Sequence, residues 1–140
     1  MLRYMLDTDI CIYVIKDRPS GLRQRFDELE DQLGISTITL GELLYGAENS
    51  GRRTHNLHTV EEFAGRLDVL PFSANAAAHY GQIRAALRRV GRPAGVHDML
   101  IGAHARSEGL VLVTNNVARV RADARLAGRE LDALIRQPPP

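Results

Sequence analysis

Short apolar runs that end abruptly in a polar residue, alternating with helical stretches, constrain this chain more than any other feature. Leu110–Val113 is the clearest run: four apolar residues between Gly109 and Thr114-Asn115-Asn116, suited to the buried middle of a parallel sheet. Leu2-Arg3-Tyr4-Met5-Leu6-Asp7 reads as a strand that runs straight into an N-cap-like pair, Thr8-Asp9, and the apolar helix Ile10–Ile15. Gly34–Ser36 leads in the same way into a helix over Thr37–Glu48, with Leu40, Leu43, Leu44 and Ala47 as its apolar stripe. Asp68–Leu70 is a further strand, stopped by Pro71. Helices are expected at Arg18–Leu33, Thr54–Leu67, Ala74–Val90 and Val96–Ser107, the last two separated by the loop Gly91-Arg92-Pro93-Ala94-Gly95. Strands alternating with helices predict a three-layer α/β/α fold with a mostly parallel central sheet. In such folds the working crevice lies beyond the carboxyl ends of the strands.

That rule directs attention to the acids. Asp7 closes the first strand and Asp9 follows it; Glu42 lies in the first half of the helix after the second strand; Asp98 lies in the first turn of the helix before the strongest strand. Singly, each has an ordinary explanation as a cap, a first-turn acid or a solvated helix residue. Together they would repel one another at the strand ends unless protonated or neutralised by a cation. Oxygen donors favour Mg²⁺ or Mn²⁺, and the five histidines have no zinc-motif spacing. A hard dication held this way activates water and stabilises charge on a phosphate, which is hydrolytic phosphodiester chemistry. Thr8, Asp9, Thr114, Asn115 and Asn116 are expected around those ligands as supporting polar groups. His97 adjoins Asp98 on what should be a different helix face, so it is left out of catalysis.

Charge supports this division only coarsely. Residues 1–83 carry 8 Arg and Lys against 12 Asp and Glu, whereas residues 84–140 carry 10 against 5. An acidic first half can supply metal ligands, and a basic second half can meet a polyanion. The single cysteine, Cys11, excludes an intrachain disulfide and a cysteine-rich zinc site, and its apolar neighbours predict a buried thiol. No apolar run is long enough for a membrane span and no signal-peptide pattern opens the chain, so the expected location is cytoplasmic, with no membrane partner.

The same segments resemble the VapC-type toxins of the PIN-domain ribonuclease family, from bacterial type II toxin–antitoxin systems. The resemblance is carried by Met5-Leu6-Asp7-Thr8-Asp9-Ile10-Cys11-Ile12-Tyr13, Ile38-Thr39-Leu40-Gly41-Glu42-Leu43-Leu44-Tyr45-Gly46-Ala47, Asp98-Met99-Leu100-Ile101-Gly102-Ala103-His104-Ala105 and Leu112-Val113-Thr114-Asn115-Asn116. It implies a PIN-like nuclease domain over residues 1–134, with 135–140 a disordered tail. It also implies an endoribonuclease dependent on Mg²⁺ or Mn²⁺, with Asp7, Glu42 and Asp98 as metal ligands and catalytic residues. The implied partners are a cognate antitoxin, an RNA substrate (a tRNA in several relatives) and a second copy of the chain in a homodimer. The antitoxin should lie in a groove walled by Arg18–Leu33 and Thr37–Glu48, with Tyr13, Phe26 and Leu44 exposed to it, and the Ala74–Val90 helix should pair the two copies. The sequence departs from the family late: Val117-Ala118-Arg119-Val120 puts Arg119 where relatives carry another acid, Asp123 replaces it only if the segment bends back, and Glu130-Leu131-Asp132 ends without tryptophan.

Two rivals follow from the same residues. A PIN-like module that binds or regulates without turnover fits the missing acid. A haloacid-dehalogenase-like phosphatase fits Asp7-Thr8-Asp9 after a strand, but also requires a later lysine, and Lys16 is the only lysine in the chain.

Overall fold

The computed structural model describes residues 1–91 and 95–114, together with the backbone of 128–129. Asn115, Asn116, Arg119, Asp123, Glu130, Asp132 and the 135–140 tail lie outside the described residues. The strands are β1 (Tyr4–Leu6), β2 (Leu33–Ser36), β3 (Asp68–Leu70), β4 (Val111–Val113) and β5 (Gly128–Arg129), and every pairing between them is parallel, in the order β3-β2-β1-β4-β5. The helices are α1 (Thr8–Lys16), α2 (Leu22–Leu29), α3 (Thr37–Glu48), α4 (Arg53–Ala64), α5 (Ala74–Arg89) and α6 (Val96–Ser107).

Strand alternation sorts the core onto two faces. Tyr4, Leu6, Leu33, Ile35 and Val113 point to one side and pack with Ile10 and Val14 of α1, Phe26 of α2, Leu43 of α3 and Phe63 of α4. Met5 and Leu112 point to the other, against Ile101 and Ala105 of α6, and α5 lies on α6 through Ile83, Leu87, Met99 and Ala103. Both faces of β1 are covered, which explains its unbroken apolar run. Gly34 answers a close approach: a Cβ there would meet the Asp68 carbonyl oxygen at 3.2 Å.

The expected α/β/α layering stands, with three corrections. The Arg18–Leu33 stretch is not one helix. Pro19 and Gly21 (φ 95°) delay α2 to Leu22, a single 3₁₀ turn at Glu30–Gln32 ends it, and Leu33 already belongs to β2. The cap of α1 is neither Thr8 nor Asp9 but Asp7, in extended conformation, whose Oδ1 accepts from the Ile10 N–H at 2.9 Å. Phe26 is not surface: it is 3 % exposed and stacks on Phe63 at 5.4 Å between ring centroids. Tyr13 and Leu44 are partly buried against the same core. Cys11 is a buried free thiol, and burial pushes its pKa up, as its apolar neighbours suggested.

Candidate active site

Asp7 is the centre of the site. It follows the last residue of β1 and is only 7 % exposed, so its carboxylate has little solvent to stabilise it. Burial is the main cause that raises its pKa to about 6 from 3.8. A hydrogen bond with Thr114 and the bond from the Ile10 N–H pull it down, while the charges of Asp9 and Asp98 push it further up. Thr114, 2 % exposed, directly follows β4, the strand paired with β1. Asp98 stands in the first turn of α6, which Gly95 precedes without a side-chain cap, a position where the helix dipole favours a negative charge.

Glu42 comes from α3, after β2 on the other side of β1. Thr8 donates to its Oε1 at 2.7 Å, and His97 Nδ1 lies 3.0 Å from its Oε2. The Thr8 hydroxyl also stands 3.5 Å from that of Thr39, which is fully buried. Asp9 lies exposed in the first turn of α1 and acts on Asp7 through charge. Two sets of contacts thus meet along the chain at the carboxyl ends of β1 and β2: Asp7 with Thr114, Asp9 and Asp98, and Glu42 with Thr8 and His97, the neighbours in sequence of Asp7 and Asp98. The other predicted supporting groups, Asn115 and Asn116, lie outside the described residues.

His97 makes one contact that the sequence reading did not foresee. Its side chain does leave α6 on a different face from that of Asp98, but that face meets Glu42 of α3. A helical wheel gives the angle between two neighbours and says nothing about which helix each one faces. The signal was only its place beside Asp98.

Among the described residues, no three His, Cys, Asp or Glu side chains form a ready-made metal cage. The donor set nevertheless fits a hard dication. It offers carboxylate and hydroxyl oxygens, and Asp7 is a buried acid whose charge is opposed by its two acidic neighbours. A cation removes that penalty. Asp7 and Asp98 would be the residues in direct contact, and Glu42, fixed by Thr8 and His97, would be the further acid.

An apolar groove of about 280 Å³ opens beside the site, lined by Ile12 and Ile15 of α1, Leu43 and Gly46 of α3 and Val60 of α4, and it reaches Glu42. A second hollow is walled by Phe26 and Arg23 of α2, Val14 of α1 and Phe63 of α4. The expected wall at Thr37–Glu48 thus borders the groove that meets the acids, while Arg18–Leu33 borders the other hollow.

Known proteins share this fold and much of this sequence. The PIN domain model matches residues 4–125. The chain is 53 % identical over 116 residues to the tRNA(fMet)-specific endonuclease VapC of Shigella flexneri, covering 83 % of this chain and 88 % of that one. It is 48 % identical over 117 residues to ribonuclease VapC2 of Haemophilus influenzae, covering 84 % and 89 %. Among solved structures, DNA-bound VapBC from Salmonella typhimurium superposes with a TM-score of 0.88 at 46 % identity, covering 93 % of this chain and 98 % of that one. With the fold and the sequence in agreement, the chain belongs to the PIN-domain family, in its VapC group.

Proposed function

We propose that this chain is the endoribonuclease toxin of a toxin–antitoxin pair, using Mg²⁺ or Mn²⁺ held by Asp7 and Asp98 with Glu42. The observation that carries the reading is the state of Asp7: a buried carboxylate pushed up to about 6 among other acids at the carboxyl ends of the strands. Relatives of about half-identical sequence are named as endonucleases and ribonucleases, which supports the reaction class.

A dication held by Asp7 and Asp98 with Glu42 would supply activation of water and stabilisation of negative charge on the phosphate. The protein's own residues do the rest. Thr114 and the α1 N-terminus fix the Asp7 carboxylate through hydrogen bonds, so that its orientation is set before substrate arrives. Thr8 and His97 occupy both oxygens of Glu42 and keep that charge next to the site. Loss of the Asp7 proton near pH 6 readies its carboxylate at neutral pH.

The name of the Shigella relative makes initiator tRNA the first substrate to test. Purified chain should cut it with Mg²⁺ or Mn²⁺, and Asp7→Asn and Asp98→Asn should abolish the cut. Cleavage surviving in both variants identifies a contaminating nuclease, and tight RNA binding without cleavage identifies a module without turnover.

The antitoxin fits the groove beside Glu42: an apolar helix would cover Ile12, Ile15 and Leu43 and send a basic side chain to the acids. Solved relatives described as VapBC complexes support such a partner. The homodimer belongs to the proposal through the exposed small residues Ala74, Ala77, Gly81 and Ala85 of α5, and a monomeric mass at micromolar concentration would remove it. No helix among the described residues is long and apolar enough to cross a membrane. A cytoplasmic site of action matches an RNA substrate.

A further inference from the structure

A second polar cluster lies buried inside the sheet-and-helix packing, and the chemistry above does not use it. Ser36 ends β2 with its side chain on the α6 side of the sheet, and it caps α3 by accepting from the Ile38 N–H at 3.1 Å. His104, on the inner face of α6, places Nδ1 2.8 Å from the same Ser36 oxygen. Both side chains are 0 % exposed. The Phe72 ring, just beyond β3, meets the imidazole edge-on at 5.4 Å, and the Glu108 carboxylate stands 4.0 Å from Nε2, which has no hydrogen-bond partner among the described residues. The surrounding α6 positions Ile101, Ala103 and Ala105 are apolar and buried. A leucine would suit that packing, so an imidazole here calls for a reason beyond filling space.

The reason lies in what the bond connects. Ser36 stands six residues before Glu42 on the segment that starts α3, and His104 six residues after Asp98 on α6. Those two helices carry Glu42 and Asp98, and His97, next to Asp98, reaches Glu42 from α6. Ser36, Thr39 and Glu42 are spaced by three, each step turning roughly 60° back around the helix. They pass from the α6 side, through Thr39 and its contact with Thr8, to the carboxylate that Thr8 holds. The polar path therefore runs from α6, along α3, to α1.

We propose that His104 is a positioning residue: its buried bond to Ser36 locks α3 to α6 and so sets the spacing between Glu42 and Asp98. The proposal rests on the reading of those acids as the dication site. A pair that served packing alone would affect stability without affecting that spacing.

Calorimetric titration of Mn²⁺ into the full chain separates the two, with thermal melting in parallel. His104→Leu, which keeps bulk and the Ser36 cap but loses the bond, should weaken Mn²⁺ binding by about tenfold, as outer partners of metal ligands do. Ser36→Ala should weaken it similarly, and the double variant should be no worse than either single one, because both remove one link. His104→Asn, whose amide can still reach Ser36, should bind within about threefold of wild type, on the same argument from preserved outer contacts. Wild-type Mn²⁺ affinity in both His104→Leu and Ser36→Ala, with only the melting temperature lowered, overturns the proposal. If His104→Leu does not fold, Ser36→Ala and His104→Asn make the same comparison. Asp98→Asn is the control for the underlying reading: undiminished Mn²⁺ binding there defeats the dication site first, and this proposal with it.

Discussion

Two buried polar clusters sit near the carboxyl ends of neighbouring strands, and they have opposite characters. At the end of β2, Ser36 and His104 are a neutral pair, and burial lowers the His104 pKa despite the opposing charge of Glu108. At the end of β1, Asp7 is an acid whose partners Ile10 N–H and Thr114 do not offset burial and the charges of Asp9 and Asp98. The first cluster carries no buried charge to offset, although His104 Nε2 has no hydrogen-bond partner among the described residues. The second is complete only when a cation or a proton is added. Buried polarity alone thus does not mark a site; uncompensated charge does.

The sharpest way to break this contrast is to neutralise each cluster in turn. Asp7→Asn or Asp98→Asn should lower metal-dependent RNA cleavage by at least about 100-fold, because a bound dication stabilises the transition state by several kcal/mol. Gel assays at saturating Mg²⁺ measure this.

Stability should move the other way. Asn caps a helix as well as Asp does, so Asp7→Asn keeps the α1 cap while removing the buried charge. In EDTA at pH 7 it should stabilise the chain by about 1–3 kcal/mol, whereas His104→Leu should destabilise it by about 1–3 kcal/mol by leaving Ser36 without its partner. Urea denaturation reads both.

The pH dependence sharpens the Asp7 assignment. Its folded pKa of about 6 exceeds the unfolded 3.8, so its contribution to stability is fully present below pH 3.8 and is lost as pH rises through 6. The advantage of Asp7→Asn over metal-free wild type should therefore shrink on acidification and vanish near pH 4. His104 has the opposite sign: its pKa is lowered from 6.5, so its contribution is present above 6.5 and is lost as pH falls through its folded value. His104→Leu should flatten that acid limb.

A smaller effect on the chemistry is expected beside the acids. Ile12→Glu, in the groove, should weaken capture of the antitoxin by about tenfold or more through a buried unpaired charge. Cleavage by the free toxin should fall much less, since Ile12 supplies none of the oxygen groups proposed to hold the dication.

The charged cluster was legible in the sequence and the neutral one was not. Asp7 stands out because a polar residue interrupts an apolar run at a strand's end, and parallel topology says that such ends converge. Asp98 and Glu42 could be added because helix starts and strand order are written locally. The parallel sheet was legible for the same reason. Ser36 and His104, by contrast, are 68 residues apart and look like an ordinary cap and an ordinary helix residue until α6 packs on the sheet. The His97 contact was hidden for a related reason, since its partner Glu42 belongs to another helix. The Arg18–Leu33 error was local: Pro19 and Gly21 outweighed a helical apolar spacing that continued past both ends of α2.

The central claim is that carboxylates distant in sequence jointly hold a dication, and an anomalous difference map from crystals soaked in Mn²⁺ tests it most directly. The account predicts a peak in contact with carboxylate oxygens of both Asp7 and Asp98, at about 2.1 Å as for small hard dications, and absent from Asp7→Asn crystals. A clear peak elsewhere, with these two acids free of metal, would contradict it.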